Sequence, residues 1–165
     1  MTMYSEVKGV DVVTQGEGKK VGTVSDAIIN VENWRVARLR LESGSLFGRG
    51  VRCLPVDAVR VGDDHVLTVG SEADLREDQE GDLPRGLVSS ERDLIGKRAI
   101  SENGNRLGKV LDYSFAPNGW VLVNILLAVG ETLVAPDTYD LDVHQYAVTV
   151  TDDAVIAGKP ENRET

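Results

Sequence analysis

A repeat within the chain limits the folds it can adopt more than any other property of the sequence. Residues 18–41 align with residues 104–127 at an offset of 86 and without a gap. Farther along, the offset shortens to 81, and residues 53–69 pair with residues 134–150. Self-similarity at a fixed spacing is typical of a chain built from similar structural units. The sequence therefore predicts a tandem duplication, whose six identical pairs in the first 24 positions are Gly18/Gly104, Gly22/Gly108, Val24/Val110, Asp26/Asp112, Trp34/Trp120 and Leu41/Leu127.

The duplication divides the chain into two predicted domains joined by an acidic linker. The first domain covers residues 1–69, the second covers residues 95–152, and a polar C-terminal tail covers residues 153–165. The linker, residues 70–94, has eight acids and three arginines, and so carries −5 of the net charge of −9. Ser71 followed three residues later by an acid resembles a helix N-cap, so we expect an exposed linker with a short helix.

Strand signals dominate both units. Short β-rich runs alternate with turns, and Asn103-Gly104 is the strongest of the short hairpin signals. A last hairpin is expected at residues 62–64. About five or six short strands in a unit of this size favour a small barrel, because closure removes the exposed edges of a sheet. The sequence predicts an all-β fold of two small antiparallel β-barrels.

Composition and charge narrow the class of protein. A hydrophobic content of 41% is enough for a folded core. No apolar run approaches the ~20 residues of a membrane-spanning helix, and the N-terminal sequence does not resemble a signal peptide. The net charge of −9 argues against non-specific nucleic-acid binding, which depends on contacts of lysine and arginine with phosphate. With Cys53 as the single cysteine, we expect a cytoplasmic protein.

The strand that begins at Trp120 is apolar on both faces. Strict alternation places Trp120, Leu122 and Leu126 on its outer face. An apolar outer face is normally covered, so we expect these three residues to form an interface between the two units or in a homodimer. The alternative is that a flanking turn or the linker covers them.

A Gly-x-Val-x-Asp core recurs in both units. It lies in residues 19–26, followed by Leu54-Pro55, and in residues 94–112, followed by Ala135-Pro136. These motifs resemble the PRC-barrel family, which includes the cytoplasmic domain of the photosynthetic reaction-centre H subunit and the C-terminal domain of a ribosome maturation factor. The resemblance implies a small β-barrel that binds other macromolecules. The membrane helix of the H subunit and the extra N-terminal domain of the maturation factor have no counterpart here, so we expect neither function to transfer.

Asp26 and Asp112 recur at one position of the repeat and are candidates for a functional pair. They could bind a cation or a partner, or each could accept hydrogen bonds from backbone N–H groups near a bend, which is the commoner use of aspartate. Gly22 and Gly108 are expected to mark a bulge or a close backbone approach in the barrel wall.

Two charged clusters are candidate ligand sites. Asp140, Asp142 and His144 would project from one face of a strand, where they could bind a divalent metal or form a solvated surface. Arg38 and Arg40 lie near Trp34 and could form a patch for an anionic partner, or could cover the barrel with their aliphatic stems.

We find no sequence motif for catalysis. A nucleophile elbow, a phosphate-binding glycine loop and a cysteine pair for zinc are all missing from the sequence, so we expect no catalytic residues, no enzyme activity and no cofactor. The sequence favours a non-enzymatic protein-binding or scaffold module with a protein partner or a homo-oligomeric state. The alternatives are an RNA-associated or ribosome-associated assembly factor and, less favoured, a metal-binding protein. We do not expect nucleic acid as a partner, and peripheral association with a membrane stays open.

Overall fold

The computed structural model describes residues 2–42, 51–78, 81–128, 132–134, 141–144, 147–150 and 156–157. Strands predominate in these residues, so the predicted all-β fold is confirmed. In chain order the strands are β1 (Thr2–Met3), β2 (Asp11–Thr14), β3 (Lys20–Asn30), β4 (Arg35–Glu42), β5 (Val51–Pro55), β6 (Val59–Val61), β7 (Leu67–Val69), β8 (Arg76–Asp78), β9 (Leu87–Ser89), β10 (Arg98–Ser101), β11 (Arg106–Phe115), β12 (Leu122–Leu127), β13 (Thr132–Val134), β14 (Leu141–Val143), β15 (Ala147–Val150) and β16 (Ile156–Ala157). The helical elements are α1 (Tyr4–Val7), three 3-10 turns (Val56–Ala58, Asp63–His65 and Glu72–Asp74) and a π-helical turn (Ser90–Leu94).

The strands form two sheets that share one topology. The first sheet has the order β6-β7-β2-β3-β4-β5-β8, with β9 beside β3. The second sheet has the order β14-β15-β10-β11-β12-β13-β16, with β1 beside β11. Every strand of one sheet therefore has a counterpart at the same place in the other.

Each sheet contains one parallel pair, β2 with β7 and β10 with β15. The remaining pairs of each sheet are antiparallel, and the parallel pair was not foreseen from the sequence. In the first sheet, β5 leads into β6 through the 3-10 turn Val56–Ala58 and does not fold back on it as in a hairpin. The hairpin predicted at residues 62–64 joins β6 to β7, and these two strands are antiparallel. On its other side, β7 lies parallel to β2.

The two sheets exchange strands. β1 precedes the strands of the first sheet in the chain but pairs with β11 of the second sheet. β9 precedes the strands of the second sheet but pairs with β3 of the first. We call β1 with α1, and β9 with the turn Ser90–Leu94, the exchanged segments. Because each sheet contains a segment that leads into the other, the two are interlocked.

Part of the predicted linker belongs to the first sheet. β8 pairs with β5, and β9 pairs with β3, so residues 76–78 and 87–89 are strands of this sheet. The expected short helix is a single 3-10 turn, Glu72–Asp74. The hydroxyl oxygen of Ser71 accepts a hydrogen bond from the backbone N–H of Ala73 at 3.0 Å, as in an N-cap.

Bulges change which side chains face inward. Ala37 in β4 and Val123 in β12 have no partner in the ladder, because the register shifts there. An extra residue reverses the alternation beyond it, so Val36 and Leu122 are almost fully buried. The prediction that Leu122 faces outward was wrong for this reason. Leu39, Leu41, Ile125 and Leu127 are also buried.

Both sheets contribute to one hydrophobic core. The buried cluster contains Leu39 and Leu54 from the first sheet together with Tyr113, Phe115 and Ile125 from the second. No helix in the described part of the chain has the length and apolar character that crossing a membrane requires.

A substitution at Gly22 tests how closely β3 and β4 of the first sheet are packed. A Cβ atom at this position would lie 3.0 Å from Leu41 Cβ and 3.1 Å from the carbonyl oxygen of Glu42. We expect Gly22→Ala to lower the free energy of unfolding by about 1–3 kcal/mol, measured by urea denaturation, because the surrounding backbone must move. Gly16→Ala is the control, since a Cβ there meets nothing within 4 Å. Equal stability of the two variants would contradict the close approach.

Candidate functional site

The two sheets meet at a buried polar contact that the exchanged segments create. Each segment supplies one backbone N–H and one serine hydroxyl to an aspartate on the long strand beside which the segment lies. The aspartates are Asp26 in β3 and Asp112 in β11, the pair that recurs in the sequence repeat. The side chains of this contact, which we call the joint, are Ser5, Asp26, Ser89, Ser90, Asp112 and Tyr113.

Asp26 accepts three hydrogen bonds. Its Oδ1 atom accepts from the backbone N–H groups of Ala27 at 2.8 Å and Glu91 at 3.1 Å. Its Oδ2 atom accepts the hydroxyl hydrogen of Ser89. Burial raises the pKa of Asp26 above its ordinary value, and the hydrogen bonds from Ser89 and Ala27 and the charge of Arg40 offset part of that rise.

Asp112 repeats this arrangement in the second sheet. Its Oδ1 atom accepts from the backbone N–H groups of Ser5 at 3.1 Å and Tyr113 at 2.9 Å, and its Oδ2 atom accepts the hydroxyl hydrogen of Ser5. Of the two interpretations of the repeated aspartates, these contacts match the bonding of backbone N–H groups near a bend. The three donors also account for the burial of both carboxylates, which would be costly without them.

Ser90 and Tyr113 are the remaining members of the joint, and Tyr4 packs against Tyr113. Ser90 donates its hydroxyl to the carbonyl oxygen of Ala27 at 2.6 Å, so the Tyr113 hydroxyl, 2.8 Å from Ser90 Oγ, is the donor in that contact. Tyr4 stacks on Tyr113 with ring centroids 5.0 Å apart. Burial raises the pKa of both tyrosines, so both remain protonated at neutral pH.

Trp34 and Trp120 hold the backbones of the two sheets together. The backbone N–H of Leu122 donates to the carbonyl oxygen of Trp34 at 2.8 Å, and that of Val36 donates to the carbonyl oxygen of Trp120 at 2.9 Å. Both tryptophans have positive φ, 50° and 58°, a left-handed conformation that is rare for bulky residues. The two hydrogen bonds are reciprocal, because Val36 and Leu122 occupy equivalent positions after the two tryptophans.

The structure separates the three predicted interface residues. Trp120 is buried and stacks on Phe115 with ring centroids 4.9 Å apart. Leu122 is buried where the sheets meet, and Leu126 is half-buried in β12 opposite Asp112. Their use by a partner stays a prediction, and burial of Trp120 and Leu122 within the chain leaves little of either for a second molecule to contact.

Arg38 and Arg40, the predicted anionic-partner patch, both contact Asp78. Arg38 Nη2 lies 3.1 Å from Asp78 Oδ1, and Arg40 Nε lies 2.8 Å from Asp78 Oδ2. The Asp78 side chain is only 6% exposed, so this pairing is shielded from solvent. A carboxylate from β8 therefore occupies the position that an anionic partner would take.

The predicted metal cluster is described only in part. Asp142 and His144 are exposed, and Asp140 lies outside the described residues. Within the described ranges, no group of three or more histidine, cysteine or carboxylate side chains is placed to hold a metal ion.

Sequence reasoning missed the partners of the two aspartates. The hydroxyl donor for Asp112 is Ser5, in α1, whereas the donor for Asp26 is Ser89, at the end of β9. Ser89 lies opposite Ile28 of β3, and Met3 lies opposite Ser114, the equivalent residue of β11. In the strand register, Ser89 therefore corresponds to Met3 and not to Ser5. An alignment of the repeats therefore does not pair the two serines. The recurrence of a buried aspartate was the available signal.

Residues 1–75 match the family model of the PRC-barrel domain. The match covers β1 to β7 and includes Asp26 and Trp34 of the contact described above. No curated protein matches the chain at a significant level. The match supports a small β-barrel module and agrees with the all-β fold.

The first prediction from the joint concerns the hydrogen bonds of Asp26. We expect Asp26→Ala to lower the free energy of unfolding by about 3 kcal/mol or more, because it leaves three donors without an acceptor. Asp26→Asn keeps an oxygen for the two N–H groups and should cost about 1 kcal/mol. Urea denaturation measures both, with Asp57→Ala, at an exposed side chain, as the control. Equal losses for Ala and Asn would contradict the assigned bonds.

The second prediction concerns pH. The folded chain holds the Asp26 proton more tightly than the unfolded chain, because burial raises the pKa of this carboxyl above its ordinary value of 3.8. The resulting stabilisation is complete below the ordinary value and is lost as pH rises through the pKa of the folded state. We expect the stability of the wild type, relative to Asp26→Asn, to fall over that window in urea titrations at successive pH values. A relative stability that rises with pH would contradict this sign.

Proposed function

We propose that this chain is a non-catalytic protein-binding or scaffold module, made of two PRC-barrel-like units that arose by duplication. The observation that carries the proposal is the use of the buried polar groups. The carboxylates of Asp26 and Asp112 and the hydroxyls of Ser5, Ser89 and Ser90 all form hydrogen bonds inside the joint. Groups committed in this way hold the two sheets in one fixed relation, as a scaffold requires.

The equivalent topology of the two sheets supports the duplication. The bulges also recur, since the register shifts after Val12 in β2 and after Ala99 in β10. A repeat of strand order, bulge position and buried aspartate is hard to reconcile with two unrelated halves. We propose a cytoplasmic location, with a protein partner there or at the inner face of the membrane.

The partner contact that we propose lies on β11 and β12. Leu111 is 52% exposed, the most exposed large apolar side chain among the described residues, and Leu126 is half-buried on the neighbouring strand. The equivalent residues of the first sheet are polar, Ser25 and Arg40. The apolar character is therefore specific to the second sheet, and exposed apolar surface of this kind favours a protein partner.

The alternative functions have less support. The RNA-associated alternative relied on Arg38 and Arg40, and both of these arginines contact the buried carboxylate of Asp78. The metal-binding alternative relied on Asp140, Asp142 and His144, of which only the last two are described, both exposed.

A tagged pull-down from native lysate that includes membranes tests the proposed function. We expect the wild type to capture a partner protein and Leu111→Arg to reduce that capture by about tenfold or more, because a charge replaces a buried apolar contact. Val66→Arg is the matched control, since Val66 directly precedes β7 of the first sheet and its apolar side chain is 48% exposed. Capture that both variants reduce equally would contradict a contact on β11 and β12, and capture of the chain only by itself would indicate a self-associating scaffold.

A further inference from the structure

A cationic cleft on the second sheet points to a ligand site whose lining residues differ from those of the proposed protein contact. The cleft has a volume of about 260 Å³ and lies between β10 and β11. Arg98, Arg106 and Lys109 line it together with the small residues Ala99 and Gly108. Three cations thus line one small cleft in a chain whose net charge is −9.

The strand register places like charges against each other. Arg98 and Lys109 are direct partners across the antiparallel β10–β11 ladder, and Arg106 is the partner of Ile100. Like charges in directly opposite positions destabilise a sheet. Among the ion pairs of the described residues, none involves these three cations, whereas Lys19 lies 2.7 Å from Glu72 and Lys20 lies 3.2 Å from Asp11. The folded chain therefore bears an electrostatic cost here that its described carboxylates do not offset.

The first sheet avoids this cost at the equivalent positions. There the ladder pairs Asp11 with Thr23, and Lys20 follows at the position of Arg106. Asp11 accepts a hydrogen bond from the Thr23 hydroxyl at 2.8 Å and forms an ion pair with Lys20. The same fold is thus compatible with a neutralised surface, and the like-charge pair of Arg98 and Lys109 is specific to the second sheet.

The small residues of the cleft allow a ligand to approach the backbone. Ala99 is buried, and Gly108 has a φ of 130°, which side-chain-bearing residues rarely adopt. A cleft lined by small residues and cations is suited to a compact anion, because guanidinium and ammonium groups can donate several charge-assisted hydrogen bonds at once.

We propose that this cleft binds the phosphate groups of a small phosphate-bearing molecule. Three converging positive charges match the charge of a di- or triphosphate better than that of a single carboxylate. The volume lies just below the roughly 300–1,000 Å³ of ordinary ligand pockets, so it fits one or two phosphate groups and not an entire large ligand. Bound phosphate would offset the repulsion between Arg98 and Lys109.

The test is calorimetry of the full chain with inorganic tripolyphosphate at low ionic strength, repeated with inorganic phosphate. We expect the wild type to bind tripolyphosphate. The double variant Arg98→Gln/Lys109→Gln should bind it with an affinity lower by about tenfold or more, since it loses two charge-assisted donors. Arg60→Gln, which removes an exposed arginine from β6 of the first sheet, is the control and should bind like the wild type. Because the readout is phosphate binding, it is independent of protein capture by Leu111.

Thermal unfolding supplies a second measurement. Without ligand, the double variant should melt at the same temperature as the wild type or higher, because the like-charge pair is gone. Tripolyphosphate should then raise the melting temperature of the wild type and of Arg60→Gln only. The proposal is overturned if the wild type binds no phosphate, if the double variant binds equally well, if the double variant melts at a lower temperature without ligand, or if the cleft binds an RNA homopolymer but neither phosphate compound.

Discussion

The structure depends on two buried carboxylates, each of which binds a segment of chain that leads into the other sheet. Asp112 bonds Ser5, 107 residues away, and Asp26 bonds Ser89, 63 residues away. Because β1 lies in the second sheet and β9 in the first, neither sheet is complete without both parts of the chain. Contacts of such sequence separation form late and favour a single cooperative unit over two independently folding barrels. The joint thus accounts for the packing of both sheets around one hydrophobic core.

Trp34 and Trp120, which lie outside the joint, also connect the two sheets, and their hydrogen bonds offset backbone strain. A left-handed conformation costs a bulky residue about 1–2 kcal/mol. At Trp34 and Trp120 that conformation directs each carbonyl oxygen toward a backbone N–H of the other sheet, and both indoles are buried. Strained residues often mark functional sites. Here the strain has a structural role, since the two residues that carry it also supply the reciprocal hydrogen bonds between the sheets.

The fold class and most buried strand positions could be predicted from the sequence, because alternation and turn signals are local. Leu39 and Ile125 followed the alternation, whereas Val36 and Leu122 did not, since bulges at Ala37 and Val123 leave no signal in the pattern of apolar residues. The aspartates of the joint were visible as a repeat. Their partners were not, because strand exchange brings them from distant segments, and the two serines come from different positions of those segments.

The two sheets are alike where they meet and unlike where they face solvent, and this contrast is the basis of both binding sites that we propose. Joint geometry tolerates little change, so aspartate and tryptophan recur in both sheets. At the surface, Asp11 and Thr23 of the first sheet correspond to Arg98 and Lys109 of the second. In the first sheet Asp11 forms an ion pair with Lys20, and Asp78 contacts both Arg38 and Arg40. The unbalanced cations and the exposed Leu111 both lie on the second sheet. The two binding sites that we propose therefore both lie on the second sheet, and the first sheet, joined to it through Asp26 and Asp112, would support them.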